Sequence, residues 1–332
     1  MTQLPFICTD AFKNLSLSVQ GNQLEVAPCC IAEHSRSDQI DFLNDDHLRS
    51  VRDAWRQGYW PTACHVCKET ESLGQISRRM GSNQWYQDHG ITTTDPEPLR
   101  LDYWVGDTCN LACVMCGPNN SSVWKQELKI PIKQITTTNN KFWKNLDLSR
   151  LRYIHFHGGE PLLSKEHQSF LSAVPQKSQV SIYYNTNATV RASPNLIDLW
   201  SQFCSVQIDF SIDDVENRFE YLRYPAQWNT VVDNLFWYRD TCPHNSFFNV
   251  LTVVSVLNKP YLDRLDRWLD TNFRFSKFQD PIQHRYQDCL GDLSPHDAHN
   301  RRQSIVTYLD EIDARRGTNW RNTFPDAVIY LS

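Results

Sequence analysis

The chain has 332 residues, of which 40% are hydrophobic and 12% aromatic, with a formal net charge of −5. That apolar supply is enough for one large domain, or for a core with a smaller module beside it. The mild acidity, with no lysine- or arginine-rich block, leaves no footprint for a nucleic-acid backbone. No apolar run approaches the ~20 residues of a membrane span. Met1–Cys8 lacks the charged and apolar regions of a signal peptide, so a cytoplasmic location is expected.

Eleven cysteines in a chain of this length and type point to metal binding before disulfides. Five fall in the first 80 residues: Cys8, Cys29, Cys30, Cys64 and Cys67. Between them, Leu15–Val26 alternates around Gln20-Gly-Asn22 and predicts a hairpin. A helix is expected over roughly Asp45–Gln57, ahead of Cys64-His-Val-Cys67. Four of these five thiols would close a metal site fully, and the spacing alone suits zinc as well as an iron–sulfur cluster. Residues 92–98, Thr-Thr-Thr-Asp-Pro-Glu-Pro, read as a linker that ends this 1–91 segment.

Beyond the linker, strand and helix signals alternate. Leu99, Leu101, Tyr103 and Val105 give a period-two strand that ends just before Cys109. Further strands are expected at Tyr153–His157, Val180–Tyr184, Val206–Phe210 and Phe248–Val254, and a weaker one at Phe273–Phe278. Ser193-Pro194 opens a helix through Leu196–Trp200, and Tyr261–Leu269 recurs at helical spacing after Pro260. A C-terminal helical extension, 291–332, carries Ile305, Tyr308, Leu309 and Ile312 on one face and closes at Gly317. Strand–helix alternation argues for an α/β fold with a parallel sheet. The pattern does not choose between an open doubly wound sheet and a barrel.

Chemistry is concentrated in Cys109, Cys113 and Cys116, a CxxxCxxC triplet, followed by Gly158-Gly-Glu-Pro161 after the Tyr153–His157 strand. Three thiolates bind a four-iron cluster incompletely and leave one iron open to a small molecule. In this order the two motifs resemble the radical S-adenosylmethionine (SAM) superfamily. The resemblance implies a partial (β/α)6 TIM-type barrel over 99–290, with its chemistry at the carboxyl ends of the strands. It implies a [4Fe–4S] cluster on Cys109, Cys113 and Cys116 whose open iron binds SAM. Reductive cleavage of SAM would then give a 5′-deoxyadenosyl radical that abstracts hydrogen from substrate.

By the same resemblance Gly158, Gly159 and Glu160 would line SAM's methionyl part, with Asn187 and Ser211 at two further strand ends. Met115 stands where the superfamily usually has an aromatic residue, and its thioether would pack beside SAM or the cluster. Arg223 fits a family arginine, although a lone helical arginine is more often a surface ion pair. His155 and His157 read as barrel-lining or hydrogen-bonded histidines; as zinc ligands they would compete with the cluster reading. Cys204, Cys242 and Cys289 read as isolated buried thiols.

The N-terminal segment resembles the SPASM/Twitch auxiliary-cluster module of radical SAM enzymes, carried here before the barrel. Pro28-Cys-Cys30, Gly58-Tyr-Trp-Pro61, Cys64-x-x-Cys67, Glu71, Gly74, Ser77-Arg78 and Ser121-Ser-Val-Trp124 fit its pattern. The implied ligands of a second, auxiliary [4Fe–4S] cluster are Cys8, Cys29, Cys64 and Cys67, with Cys30 the alternative to Cys29. Such enzymes commonly modify peptides or proteins, and some act on small metabolites. The implied electron donor is a protein such as a flavodoxin or ferredoxin. No catalytic residue beyond the cofactor sites is assigned. The alternative function is a non-catalytic zinc- or cluster-binding α/β protein acting as a binding module.

Overall fold

The computed structural model describes residues 6–20, 23–37, 41–92, 94–131, 146–272, 285–288 and 295–331. They form two compact units, the first of residues 1–107, 132–184 and 198–206, the second of 108–131, 185–197 and 207–332.

In the first unit the expected hairpin forms from β1 (Asn14–Gln20) and β2 (Gln23–Ala27), paired antiparallel with Gln20 opposite Gln23. β3 (Ser35–Ser37) extends it. On its other side β1 runs parallel to β4 (Arg100–Trp104), so the N-terminal hairpin is the edge of the main sheet. β5 (Tyr153–His157) and β6 (Ser181–Thr186) follow, both parallel, giving the order β3-β2-β1-β4-β5-β6. In β5, Ile154 and Phe156 are fully buried, while Tyr153, His155 and His157 are half-buried on the opposite face. Phe156 stacks on Tyr184 and meets Phe170 edge-on, so the apolar face of the pleat faces the covering helix Lys165–Ala173.

Helix Asp46–Arg56 begins where the Asp45 carboxylate accepts from Leu48 N at 3.0 Å. It buries Leu48, Val51 and Trp55, spaced three and four apart. Helix Arg78–Asp88 is capped in the same way by Ser77 and turns Arg79, Ser82, Asn83 and Tyr86 inward. At the end of the expected linker the chain is tied back to the N-terminal segment, since Glu97 N donates to Phe12 O and Leu99 N to Lys13 O.

The second unit carries β7 (Ser205–Ser211), β8 (Ser246–Val254) and β9 (Arg285–Asp288), with β8 and β9 parallel. β7 begins two residues before this unit does. The strand expected at Phe273–Phe278 lies outside the described residues. Helix Pro295–Arg316 ends at Gly317, whose φ of +67° suits glycine, and Trp320–Thr323 and Pro325–Leu331 follow. Leu309, Ile312, Trp320, Phe324 and Leu331 from these helices bury Ala112, Val114 and Trp124. Burying an aromatic such as Phe324 contributes roughly 2–3 kcal/mol, so the C-terminal helices hold the Cys109–Cys116 loop in place. The sheet is mixed but mostly parallel, as the α/β reading requires.

Candidate functional site

Four N-terminal cysteines meet at one cavity. Cys8, Cys29, Cys64 and Cys67 line it together with Asp10, Trp55, Arg78 and Arg79. Cys8 precedes the short helix Asp10–Lys13, Cys29 follows β2, and Cys64 and Cys67 flank the start of helix His65–Ser72. Cys30 is half-buried and is not among the lining residues. Burial pushes the Cys29 and Cys64 thiols up to about 12, against the pull of Arg78 on Cys29. Burial, then Asp10, drives Cys8 higher than its ordinary value as well. Such thiols stay protonated until a metal takes the proton's place.

Two guanidiniums flank these thiols. Arg79 makes a bidentate pair with Glu71, at 2.8 and 2.6 Å, and donates to Phe6 O at 2.9 Å. Ser77 Oγ donates to the same Glu71 carboxylate at 2.5 Å, which accounts for the Glu71 and Ser77 pattern in the sequence. Arg78 lies 2.9 Å from Asp102 and 3.4 Å from Asp10. Four thiolates around iron and sulfide carry net negative charge, and adjacent arginines offset it. The four-cysteine donor set fits a fully ligated cluster, and it fits tetrahedral zinc too. Arg79 and Asp102 were not singled out from the sequence. The pairing of Arg78-Arg79 with a Ser77 cap was the available signal.

In the second unit the Cys109–Cys116 loop is pinned almost atom by atom. Ser122 Oγ accepts from Cys109 N at 3.1 Å and donates to Cys109 O at 2.9 Å. Trp124 Nε1 donates to Cys113 O at 2.9 Å, and Ser121 Oγ donates to Leu111 O at 2.5 Å. The Ser121–Trp124 motif therefore braces the triplet. From outside the loop, Val114 N donates to Leu222 O at 2.8 Å, Tyr308 Oη to Val114 O at 2.8 Å, and Arg316 Nη2 to Ala112 O at 2.8 Å.

Arg223 is buried and paired with Asp213 at 2.8 Å, so it is not a surface arginine. Burial opposes its charge, but Asp213, Cys113 and Cys116 outweigh that and raise it. Burial likewise lifts Cys113 to about 12, with Arg223 pulling it down and Cys109 and Cys116 pushing it up. The three thiols thus share one electrostatic neighbourhood with a fixed positive charge, a set suited to holding an anionic cluster.

Asn187 lies near the triplet, with Nδ2 3.9 Å from Cys109 Sγ and donating to Asn110 Oδ1 at 3.0 Å. Its Oδ1 accepts from Thr189 N and Thr189 Oγ1 at 2.9 and 2.6 Å. Ser211 ends β7, half-buried. Met115 is partly buried and packs against the Ala112–Trp124–Trp320 cluster. In the first unit, Gly158 has φ +125°, and a Cβ there would stand 2.7 Å from Gly106 O and 3.1 Å from the Trp104 indole. Gly159 N donates to Gly106 O at 2.8 Å. The first glycine is therefore required by the chain's own packing. Glu160 is buried and its Oε1 accepts from Leu162 N at 3.1 Å, capping the turn Pro161–Leu163.

The superfamily model "Radical SAM" matches residues 104–269, half of the chain. The chain belongs to the radical SAM superfamily, a class of enzymes that bind SAM and a [4Fe–4S] cluster. Its mixed α/β fold with a mostly parallel sheet is the one that the resemblance to a partial (β/α)6 barrel led us to expect. Among solved structures, "Native anSMEcpe with bound AdoMet" is similar at 17% identity and TM-score 0.41, covering 67% of this chain and 63% of that one. Streptococcus suis SuiB bound to S-adenosylmethionine is similar at 11% identity and TM-score 0.36, over 92% of this chain and 69% of that one. SuiB bound to precursor peptide SuiA gives 11% identity and TM-score 0.40, over 94% and 71%. The chain spans less than two thirds of the length of the first of these, 63%. No curated protein matches it.

Proposed function

We propose that the protein cleaves SAM reductively at a [4Fe–4S] cluster held by Cys109, Cys113 and Cys116, and abstracts hydrogen from a peptide, protein or small metabolite. The observation that carries the proposal is Cys113. It is buried, in the field of Cys109, Cys116 and the Arg223 guanidinium, and inside the segment that matches the family. When bound, the reduced cluster supplies the electron that breaks the sulfonium bond and frees a 5′-deoxyadenosyl radical. The protein's own task is positioning. Gly158, Gly159 and Glu160 are proposed to receive SAM's methionyl part, with Asn187, Ser211 and Met115 as further contacts. Glu160 suits an ammonium group because a buried carboxylate gives a short charge-assisted hydrogen bond.

We assign a second, fully ligated cluster to Cys8, Cys29, Cys64 and Cys67. What supports it is their common cavity, with Arg78 and Arg79 in its wall. In this reading 1–91 is the auxiliary module and 99–290 the core, with a flavodoxin- or ferredoxin-type protein as reductant. The test is anaerobic reconstitution, with iron and sulfide counted and 5′-deoxyadenosine measured after SAM and dithionite are added. Product from protein with about eight irons per chain is expected. Zinc in place of iron, or iron-loaded protein that forms no 5′-deoxyadenosine, would overturn the proposal.

A further inference from the structure

Neither cysteine set uses a third cluster of donor groups, which the strand register creates. Asp102 on β4 is paired directly opposite His155 on β5, and His157 follows on the same face two residues later. A carboxylate oxygen and one nitrogen from each imidazole all lie within 4.8 Å of one another. His155 Nδ1 stands 3.5 Å from Asp102 Oδ1, and the two imidazole centroids are 4.9 Å apart.

The hydrogen bonding around these groups is lopsided. Asp102 is 1% exposed. Its Oδ2 accepts from Arg78 Nη2 at 2.9 Å and from Asn14 Nδ2 at 3.0 Å. Its Oδ1 is buried and faces His155 Nδ1 at the long distance of 3.5 Å, and His157 Nε2 is buried with no hydrogen-bond partner. An unsatisfied buried polar atom costs about 1–3 kcal/mol, and His157 Nε2 is one, on a residue whose ligating nitrogen lies within 4.8 Å of the other two donors. Arg78 engages Oδ2 of Asp102 and not Oδ1, and it also lies 3.4 Å from Asp10, which offsets its charge. Arg100 packs on aromatic rings, its guanidinium 4.6 Å from the centre of the Trp85 ring and 4.8 Å from that of Tyr153.

We propose that Asp102, His155 and His157 form a mononuclear site for a divalent transition metal. Two imidazoles and one carboxylate are a donor set for such ions that leaves coordination positions open. Those positions would take water or an oxygen donor of a bound substrate. Arg78 and Asn14, hydrogen-bonded to the ligating carboxylate, would fix its orientation. The site shares no residue with either cysteine set and does not depend on the radical reading.

The test uses the full-length, anaerobically reconstituted protein, incubated with a small excess of zinc and desalted. Zinc, iron and sulfide are then counted on the same sample, and the zinc shell is read by X-ray absorption. The expected result is about one zinc per chain with iron undiminished, in a shell of nitrogen and oxygen that shows imidazole scattering. His155→Ala and His157→Ala should each weaken zinc retention about tenfold or more while leaving iron and sulfide unchanged. These variants are preferred to changes at Asp102, which would strand Arg78. Sulfur in the zinc shell, wild-type zinc retention by either histidine variant, or no retained zinc would each overturn the site. The iron and sulfide counts report separately on the cysteine clusters.

Discussion

Arg78 joins the N-terminal cysteine cavity to the main sheet: its Nη2 lies 2.9 Å from Oδ2 of Asp102 on β4, and it lines the cavity shared by Cys8, Cys29, Cys64 and Cys67. Asp102 is 1% exposed and the Arg78 side chain 23%, and burial opposes the charge of both groups. Each charge persists because the other is present. Removing one partner of a buried pair leaves an uncompensated charge and costs about 3–5 kcal/mol. Arg78→Met is therefore expected to lose about that much stability in guanidinium denaturation followed by circular dichroism. Arg78→Lys should recover part of the loss, because it keeps the charge without the fork. An unchanged midpoint in Arg78→Met would remove this pair from its structural role.

Cys29 and Cys30 are adjacent in sequence but differ in environment. Cys29 lines the cavity, and Cys30 is half-buried outside the lining. Reconstituted Cys29→Ser is expected to drop from about eight irons per chain to about four. Cys30→Ser should keep the full complement. The reverse pattern would move the ligand assignment to Cys30.

Gly158 separates backbone strain from contact. A Cβ there meets Gly106 O at 2.7 Å, whereas at Gly90, with φ +69°, a Cβ meets nothing within 4 Å. Gly90→Ala carries only the positive-φ penalty, about 1–2 kcal/mol. Gly158→Ala adds the overlap and should cost more, about 3 kcal/mol or above. Equal midpoints for the two variants would refute the close approach.

His167 makes the first unit acid-sensitive. It is 1% exposed, and burial lowers it from the ordinary 6.5 to about 4. A depressed folded value means that the stability is present above 6.5 and lost as pH falls through 4. At pH 5 the loss relative to neutral pH is about 2 kcal/mol. His167→Gln should flatten that part of the stability profile between pH 7 and 5. An identical profile for the variant would assign the acid loss to other groups.

Some of this was legible in the sequence and some was not. The Tyr153–His157 strand runs where its alternation predicts, because period two and burial on one face have the same cause. Helix Asp46–Arg56 lies within the expected range because Asp45 caps it and Leu48, Val51 and Trp55 share a face. The parallel pairing of β1 with β4 was not legible. It joins Asn14 to Arg100 across the whole cysteine segment, and no local pattern encodes so distant a partner. Arg223 looked like a surface helix residue because its partner Asp213 lies before the helix Glu216–Leu222, which Arg223 follows. Strand β9 was missed because Arg-Tyr-Gln-Asp carries no apolar alternation. The close approach of Gly158 to Gly106 O was not legible, because Gly106 is remote in sequence.

The most direct test of the central claim is 5′-deoxyadenosine formation by Cys113→Ala beside the wild type, with iron counted on both. The expected result is product from the wild type and none from the variant, which should keep the fold and about four irons in the N-terminal set. Undiminished 5′-deoxyadenosine from Cys113→Ala would contradict the assignment of SAM cleavage to the Cys109, Cys113 and Cys116 triplet.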